Sequence, residues 1–233
     1  MLTLLIATRN AHKVSEIRAI LGNQFEYLTL NDLPNAPAVV EDAGTFAGNA
    51  AKKSVALAKW YSRAAGPAKL GPEAQVAVLA DDSGLEVDAL GGAPGVHSAR
   101  FAALDTGATG NSSTADNNAK LMRLLAPVAP GRRGARFRCV LALTPVLAPS
   151  AQPASPVCAA DEFELQTELF EGTCQGRLET EPRGQGGFGY DPLFVPSGFD
   201  LTFGELPEDV KNRLSHRAQA LEKLRARLSE KTQ

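Results

Sequence analysis

The chain has little cysteine, almost no net charge and no long apolar run. Each shortage closes off a class of protein. Its three cysteines, Cys139, Cys158 and Cys174, are odd in number and lack metal-ligand spacing, so free thiols in a reducing cytoplasm are the expectation. A formal net charge of −2 gives no global electrostatic reason to bind nucleic-acid polymers or membrane surfaces. Arg132, Arg133, Arg136 and Arg138 form one local basic run, which reads either as a solvated loop entering a strand or as a polyanion patch. No stretch nears eighteen consecutive apolar residues, so no membrane span is expected. The apolar start, Leu2 to Ala7, is too short for a signal peptide and has no basic segment before it. His12, His97 and His216 match no zinc spacing, no Ser-His-Asp or Cys-His set stands out, and no internal repeat is visible.

What is present suits one domain, or two closely joined lobes, over residues 1–233. Apolar residues make up 44% of the chain, enough for a sizeable core. Strands are expected at residues 2–7, 76–80, 137–143 and 165–175. Helices are expected at 14–21, 45–63 and 114–125, with a helix or helix pair over 206–228, and residues 8–13 form a loop. Residues 62–75 and 144–160, rich in alanine, proline and glycine, read as surface insertions. Alternating strands and helices imply α/β architecture with functional residues where strands end.

Gly184, Gly186 and Gly189 spell G-x-G-x-x-G, the pattern of a dinucleotide-binding turn. That turn must follow a strand and open a helix. Here Pro182 precedes it, and Pro192, Pro196 and Gly198 follow, so no long helix fits. The glycines instead let the backbone approach a ligand or a neighbouring segment, with Phe188 as the one large side chain of the turn.

Four polar clusters remain. Thr8-Arg9-Asn10-Ala11-His12-Lys13 leads into a helix whose N-terminus carries free N–H groups and positive potential. It reads as a phosphate cradle or as an ordinary capped loop, and it lacks the Walker A pattern. Glu41, Asp42, Asp81 and Asp82 supply carboxylates from two segments, the usual way to hold Mg²⁺ beside phosphates. Adjacent aspartates point to opposite sides, so only one of Asp81 and Asp82 is expected to face a site, with Asp81 turned away. Asp82-Ser83-Gly84 is equally a common turn composition. In the Leu90–Phe101 loop, Arg100 suits an anion contact or a core carboxylate. Lys211, Ser215, His216 and Arg217 lie on or beside the last helix, either as site groups or as a solvated face. Cations, carboxylates, an isolated aromatic and no nucleophile together point to metal-assisted attack of water on a phosphate ester or anhydride.

The stretches TRNAHK, EDAGTFAGNAAKK, LADDSGLEVDALGGAPGVHSARF, GGFGYDPLF and LSHR, in this order, resemble the inosine triphosphate pyrophosphatase family. The resemblance covers nearly the whole chain apart from the two insertions. It implies hydrolysis of dITP, ITP and XTP to the monophosphate and pyrophosphate with Mg²⁺, which cleanses the nucleotide pool. It implies an α/β fold with a long mixed central sheet flanked by helices, two lobes with the site in the cleft between them, and a cytoplasmic homodimer. Carried over to this chain, Thr8, Arg9, Asn10, Ala11, His12 and Lys13 form the triphosphate loop. Glu41 and Asp82 hold Mg²⁺, and Asp82 also accepts the proton of the attacking water. Ser83 contacts substrate; Phe188, Gly189, Tyr190 and Asp191 line the base pocket; Lys211, His216 and Arg217 complete it. Three positions depart from the family pattern: Gly48 where Glu is common, Ala43 where Gly is common, and Arg9 in place of Gly. Gly48 leaves one carboxylate fewer near the metal region.

Three rivals stay open at this stage. A pyrophosphatase of related fold would act on pyrimidine or modified nucleotides. A regulator would bind nucleotide without turnover. A phosphatase with an aspartyl nucleophile would release orthophosphate.

Overall fold

The computed structural model describes residues 1–64, 75–147 and 161–230. Most of both expected insertions lies outside the described residues.

Six strands form one mixed sheet in the order β2-β1-β3-β4-β5-β6. They are β1 (Leu2–Ile6), β2 (Glu26–Thr29), β3 (Gln75–Val87), β4 (Gly134–Pro145), β5 (Glu168–Leu178) and β6 (Phe194–Pro196). The helices are α1 (Ala11–Leu21), α2 (Phe46–Ala64), α3 (Thr114–Leu125), α4 (Glu162–Leu165), α5 (Glu208–Leu214) and α6 (His216–Glu230). Strand β1 pairs in parallel with both β2 and β3, whereas β5 and β6 are antiparallel. The apolar run Leu4-Leu5-Ile6 is buried, as a strand with neighbours on both edges and cover on both faces must be.

The chain divides into two compact units. The first holds Met1–Asp82, Val140–Phe170 and Leu221–Gln233, and the second holds Ser83–Cys139 and Glu171–Ala220. Strands β3, β4 and β5 contribute residues to both. The first unit has a core built around Leu5, Leu57, Ala58, Tyr61, Val78 and Ala80. The second packs Leu85, Phe101, Leu121, Phe137, Phe194 and Phe203. In the second core Phe137 meets Phe194 edge-on at 4.7 Å, a favoured aromatic geometry.

Helix boundaries follow their caps. Asn10 caps α1 through its side-chain oxygen, so the helix starts at Ala11 and three residues of the expected loop are helical. Ser113 caps α3 at the expected start. Of the helix or helix pair expected at 206–228, the pair is observed: Ser215 is extended, breaks α5 from α6, and its Oγ accepts the Ala218 N–H at 3.1 Å.

Three expectations change. Strand β3 runs thirteen residues, so Asp81, Asp82 and Ser83 sit inside a strand and the Asx-type turn does not form. The run Asp81-Asp82-Ser83-Gly84 looks like a breaker, but burial on both sides leaves the ladder as the place for its backbone groups. Strand β5 starts at Glu168, because Glu162–Leu165 forms a short helix capped by Asp161. Strands β2 and β6 carry no strong apolar run and were not expected.

After the G-x-G-x-x-G stretch comes only a single 3₁₀ turn, Asp191–Leu193, and then β6. A Cβ on Gly184 would meet the Gly204 backbone at 2.1 Å, and one on Gly187 would meet the Asp191 carboxylate at 2.1 Å. Both glycines also have positive φ. The glycines therefore serve close packing against the chain's own Gly204 and Asp191.

Candidate active site

In the first unit, Asp82 is the centre. It is 6% exposed. Lys53, reaching from α2, places its Nζ 3.5 Å from Asp82 Oδ1 and 3.3 Å from Glu41 Oε1. The same Nζ donates to the Asp81 carbonyl at 2.7 Å. Burial pushes the Asp82 carboxyl up to about 6, against the pull of the Lys53 and Lys13 charges, while Glu41 adds to the rise. Asp82 Oδ2 is buried and has no hydrogen-bond partner. A carboxylate oxygen that stays dry and unpaired is costly, and such perturbed groups concentrate at functional sites.

Asp81 precedes Asp82 on β3. Its carboxylate pairs with the Lys13 ammonium of α1. Strand alternation does send Asp81 and Asp82 to opposite sides, but a lysine from a different helix meets each carboxylate.

The Thr8–Lys13 loop is organised by its own side chains. Thr8 Oγ1 accepts the Asn10 N–H at 3.1 Å, and Asn10 Oδ1 accepts the N–H groups of His12 at 3.0 Å and Lys13 at 3.3 Å. The expected free donors at the helix start are thus partly used by the cap. Arg9, Asn10, Ala11 and His12 are exposed, whereas Thr8 and Lys13 are half-buried.

Asn49 and Lys53, kept within the second sequence motif, were given no role from the sequence. They stand four apart on α2, on one helix face, and are 0% and 8% exposed. Two polar residues at that spacing among the buried positions of an amphipathic helix were the available signal.

The second unit gathers the other expected residues. Lys211 Nζ meets Asp191 Oδ2 at 2.7 Å, with both side chains buried. The same oxygen accepts the Phe188 N–H at 2.7 Å, which fixes the backbone of the turn. The Lys211 ammonium lies 4.9 Å from the centre of the Phe188 ring, and the Arg217 guanidinium lies 5.7 Å from it. Arg217, 1% exposed, donates to Ser83 Oγ at 2.9 Å. The His216 ring stacks on Phe137 at 4.8 Å. Gly189 has positive φ, and its carbonyl accepts from Asn118 at 3.2 Å. Tyr190 is committed to the core: it is 5% exposed, its hydroxyl donates to the Ser98 carbonyl at 2.9 Å, and burial pushes its pKa up.

The first cluster can hold phosphate, cation and water chemistry. The second offers a half-buried aromatic face ringed by donors. Among the described residues no group of three or more His, Cys, Asp or Glu side chains is placed to bind a metal alone. Among the same residues no helix is long and apolar enough to cross a membrane.

The chain is similar to known proteins along nearly all of its length. The family model described as "Ham1 family" matches residues 4–227. A "dITP/XTP pyrophosphatase" of Opitutus terrae is 43% identical, covering 92% of this chain and 93% of its own. One of the same name from Geobacillus kaustophilus is 42% identical, covering 96% and 93%. Among solved structures, a HAM1 protein from Coxiella burnetii has a TM-score of 0.75 at 31% identity, covering 99% of this chain and 100% of its own. The Staphylococcus aureus Ham1 protein has a TM-score of 0.73 at 30% identity, covering 98% and 99%. A match over that span, with buried carboxylates and cations at the positions the sequence motifs marked, leaves one assignment: the chain belongs to the Ham1 family.

Proposed function

We infer that the protein hydrolyses non-standard purine nucleoside triphosphates, dITP, ITP and XTP, to the monophosphate and pyrophosphate. The names of its relatives support the substrate class. The single observation that carries the chemistry is Asp82: a buried carboxylate with one open oxygen, a pKa near 6, and cations beside it.

A metal fits this site on the structure's own terms. Glu41 and Asp82 share the Lys53 ammonium, and Asp82 Oδ2 is an orphaned hard oxygen. Two carboxylates completed by substrate phosphates are what Mg²⁺ takes, as it seldom uses an all-protein cage. Glu41 and Asp82 would hold it, and it would neutralise charge developing on the pyrophosphate leaving group. Asp82 takes the proton of the attacking water, because its pKa lies close enough to neutrality for a working base. Lys53 lies beside that carboxylate, and Lys13 beside the neighbouring Asp81 carboxylate. Thr8, Asn10 and Lys13 receive the phosphates.

The base is the concern of the second cluster. Phe188 offers a stacking face worth about 1–3 kcal/mol, which carries no base discrimination. Lys211, His216 and Arg217 supply donors. A donor facing the C6 carbonyl of hypoxanthine or xanthine is satisfied. Facing the adenine amine, it is stranded at a cost of about 1–3 kcal/mol. Two such donors give discrimination on the order of 10²–10⁴-fold. This reading includes a homodimer and a place in the cytoplasm with the nucleotide pool. Sedimentation analysis tests the dimer.

The function is tested by a steady-state panel of ITP, dITP, XTP, GTP, ATP and dTTP with separate detection of pyrophosphate and orthophosphate. The expected result is pyrophosphate as product, with kcat/KM for ITP, dITP and XTP at least about 10²-fold above ATP. Equal use of ATP removes the donor readout. A preference for dTTP makes the protein a pyrimidine enzyme, and orthophosphate as product indicates a phosphatase. Full turnover in excess EDTA removes the metal.

A further inference from the structure

Asn49 sits in the first turn of α2 and is fully buried. A buried carboxamide must account for one acceptor and two donors. Its Oδ1 accepts the Ala43 N–H at 2.9 Å. That bond holds the segment carrying Glu41, two residues upstream. Its Nδ2 is buried and has no partner, and the amide faces the Asp82 carboxylate, whose Oδ2 is likewise buried and unpartnered. A donor and an acceptor, both dry and both open, stand on neighbouring side chains. Either left alone is costly, so their natural resolution is each other.

A second observation concerns the same segment. A Cβ built on Gly48 would lie 2.8 Å from Ala43 Cβ and 3.1 Å from Thr45 Oγ1. Glycine inside a helix is unfavourable relative to alanine. Gly48 is therefore kept by the close seat of Ala43 on α2. Ala43 is held from two sides, its N–H by Asn49 and its methyl by the gap over Gly48. Two positions that depart from the family pattern, Ala43 and Gly48, are in contact and form a matched pair.

We propose that Asn49 is a positioning residue that clamps the Glu41 segment to α2 through Oδ1 and orients the Asp82 carboxylate through Nδ2, with Ala43 and Gly48 as the fitted seat of that clamp. This rests on the reading of Glu41 and Asp82 given above. The amide fixes the separation and the facing of the two carboxylates, so the same contacts that shape the loop set the geometry of the base.

The test separates the two ends of the amide. Asn49→Asp keeps an oxygen for the Ala43 N–H and loses the donor toward Asp82. Asn49→Ala loses both. Gly48→Ala leaves the amide and spoils the seat, and Ala43→Gly with Gly48→Ala restores the space. Each variant is assayed for kcat and KM on ITP, and the amide exchange of residues 41–46 is measured without substrate or metal. Asn49→Asp is expected to lower kcat about 10–100-fold, with KM within about threefold and exchange at Ala43 unchanged. Asn49→Ala is expected to speed exchange at Ala43 at least about tenfold as well. Gly48→Ala is expected to lower kcat about 3–10-fold, and the double variant to recover most of it. Asn49→Asp with kcat within twofold of wild type overturns the orienting role. Unchanged exchange in Asn49→Ala overturns the clamp. A double variant no better than Gly48→Ala overturns the fitted seat. The exchange measurement needs no turnover, so it judges the clamp even if the substrate panel disproves the proposed activity.

Discussion

The two clusters differ in how their central aspartates are held. At Asp191 in the second unit one carboxylate oxygen takes both the Lys211 ammonium and the Phe188 N–H at 2.7 Å. Around Asp82 in the first unit the accounting is open. Oδ2 has no partner, the neighbouring Asn49 Nδ2 has none, and two carboxylates share the Lys53 ammonium at 3.3 and 3.5 Å. A saturated cluster holds a surface rigid and suits recognition. An unsaturated one stores unfavourable free energy that a reactant can relieve, and it suits chemistry. Substitutions in the first should cost turnover and relieve the fold. Substitutions in the second should cost the fold or substrate affinity.

The largest expected effect is at Asp82. Asp82→Asn keeps the shape and removes the base, so kcat should fall by about 10²–10⁴-fold. Its stability should move the other way. The folded carboxyl lies at about 6 against an ordinary 3.8, so the folded state prefers the protonated form. Ionisation therefore costs the fold progressively as pH rises from about 4 to about 6, and the full cost persists above that. A shift of about two units corresponds to roughly 3 kcal/mol at most. At pH 8 the variant should melt several degrees above wild type, at about 2–4 °C per kcal/mol, and at pH 3.5 the two should coincide. Scanning calorimetry at both pH values checks this. A variant that melts lower at pH 8 would mean that the open valences near Asp82 are closed in solution.

The opposite pattern is expected at Asp191. Asp191→Ala leaves the Lys211 ammonium buried and frees the Phe188 N–H. Breaking a buried pair from one side costs about 3–5 kcal/mol. Denaturant unfolding should show that loss, while Asp82→Asn shows none. If Asp191→Ala folds as stably as wild type, the Asp191 bonds do not hold the second cluster together.

A smaller effect is expected at Phe188. Its ring is only half-buried and has cations at 4.9 and 5.7 Å. Phe188→Ala should lose the stacking term, about 1–3 kcal/mol, or about 5- to 150-fold in kcat/KM. The loss should fall chiefly on KM and should be equal for ITP and ATP, because a ring face does not read base edges. Unequal loss would give Phe188 a part in discrimination.

Much of this was legible in the sequence, and the failures have physical causes. The apolar run of β1 and the Thr114–Leu125 span of α3 were visible because apolar periodicity is a local property, and a helix pair was one of the two readings of 206–228. The full length of β3 was not, because Asp81-Asp82-Ser83-Gly84 has the composition of a turn and only tertiary burial makes it a strand. The lysine that pairs with Asp81 was not legible either, because it arrives from a helix nearly seventy residues away in the chain. The glycine-rich turn was rightly separated from dinucleotide binding. Its true neighbours, Gly204 and Asp191, were invisible because contact across the fold leaves no local pattern. Motif order carried the site assignment. The partners Asn49 and Lys53 needed the helix register.

The smallest expected effect is on the pH profile, and it probes the first cluster without altering any residue. The base must be ionised to take a proton from water. With the free carboxyl at about 6, kcat/KM should rise with pH through 6 and level off above about 7. Below the midpoint it should fall tenfold per unit, so that pH 5.5 costs about fourfold relative to the plateau. An ordinary aspartate at 3.8 would leave the profile flat to below pH 5. The limb should therefore vanish from the residual activity of Asp82→Asn and survive in Phe188→Ala. If both variants keep it, the titrating group is not Asp82, and the contrast between an open and a closed cluster loses its functional meaning.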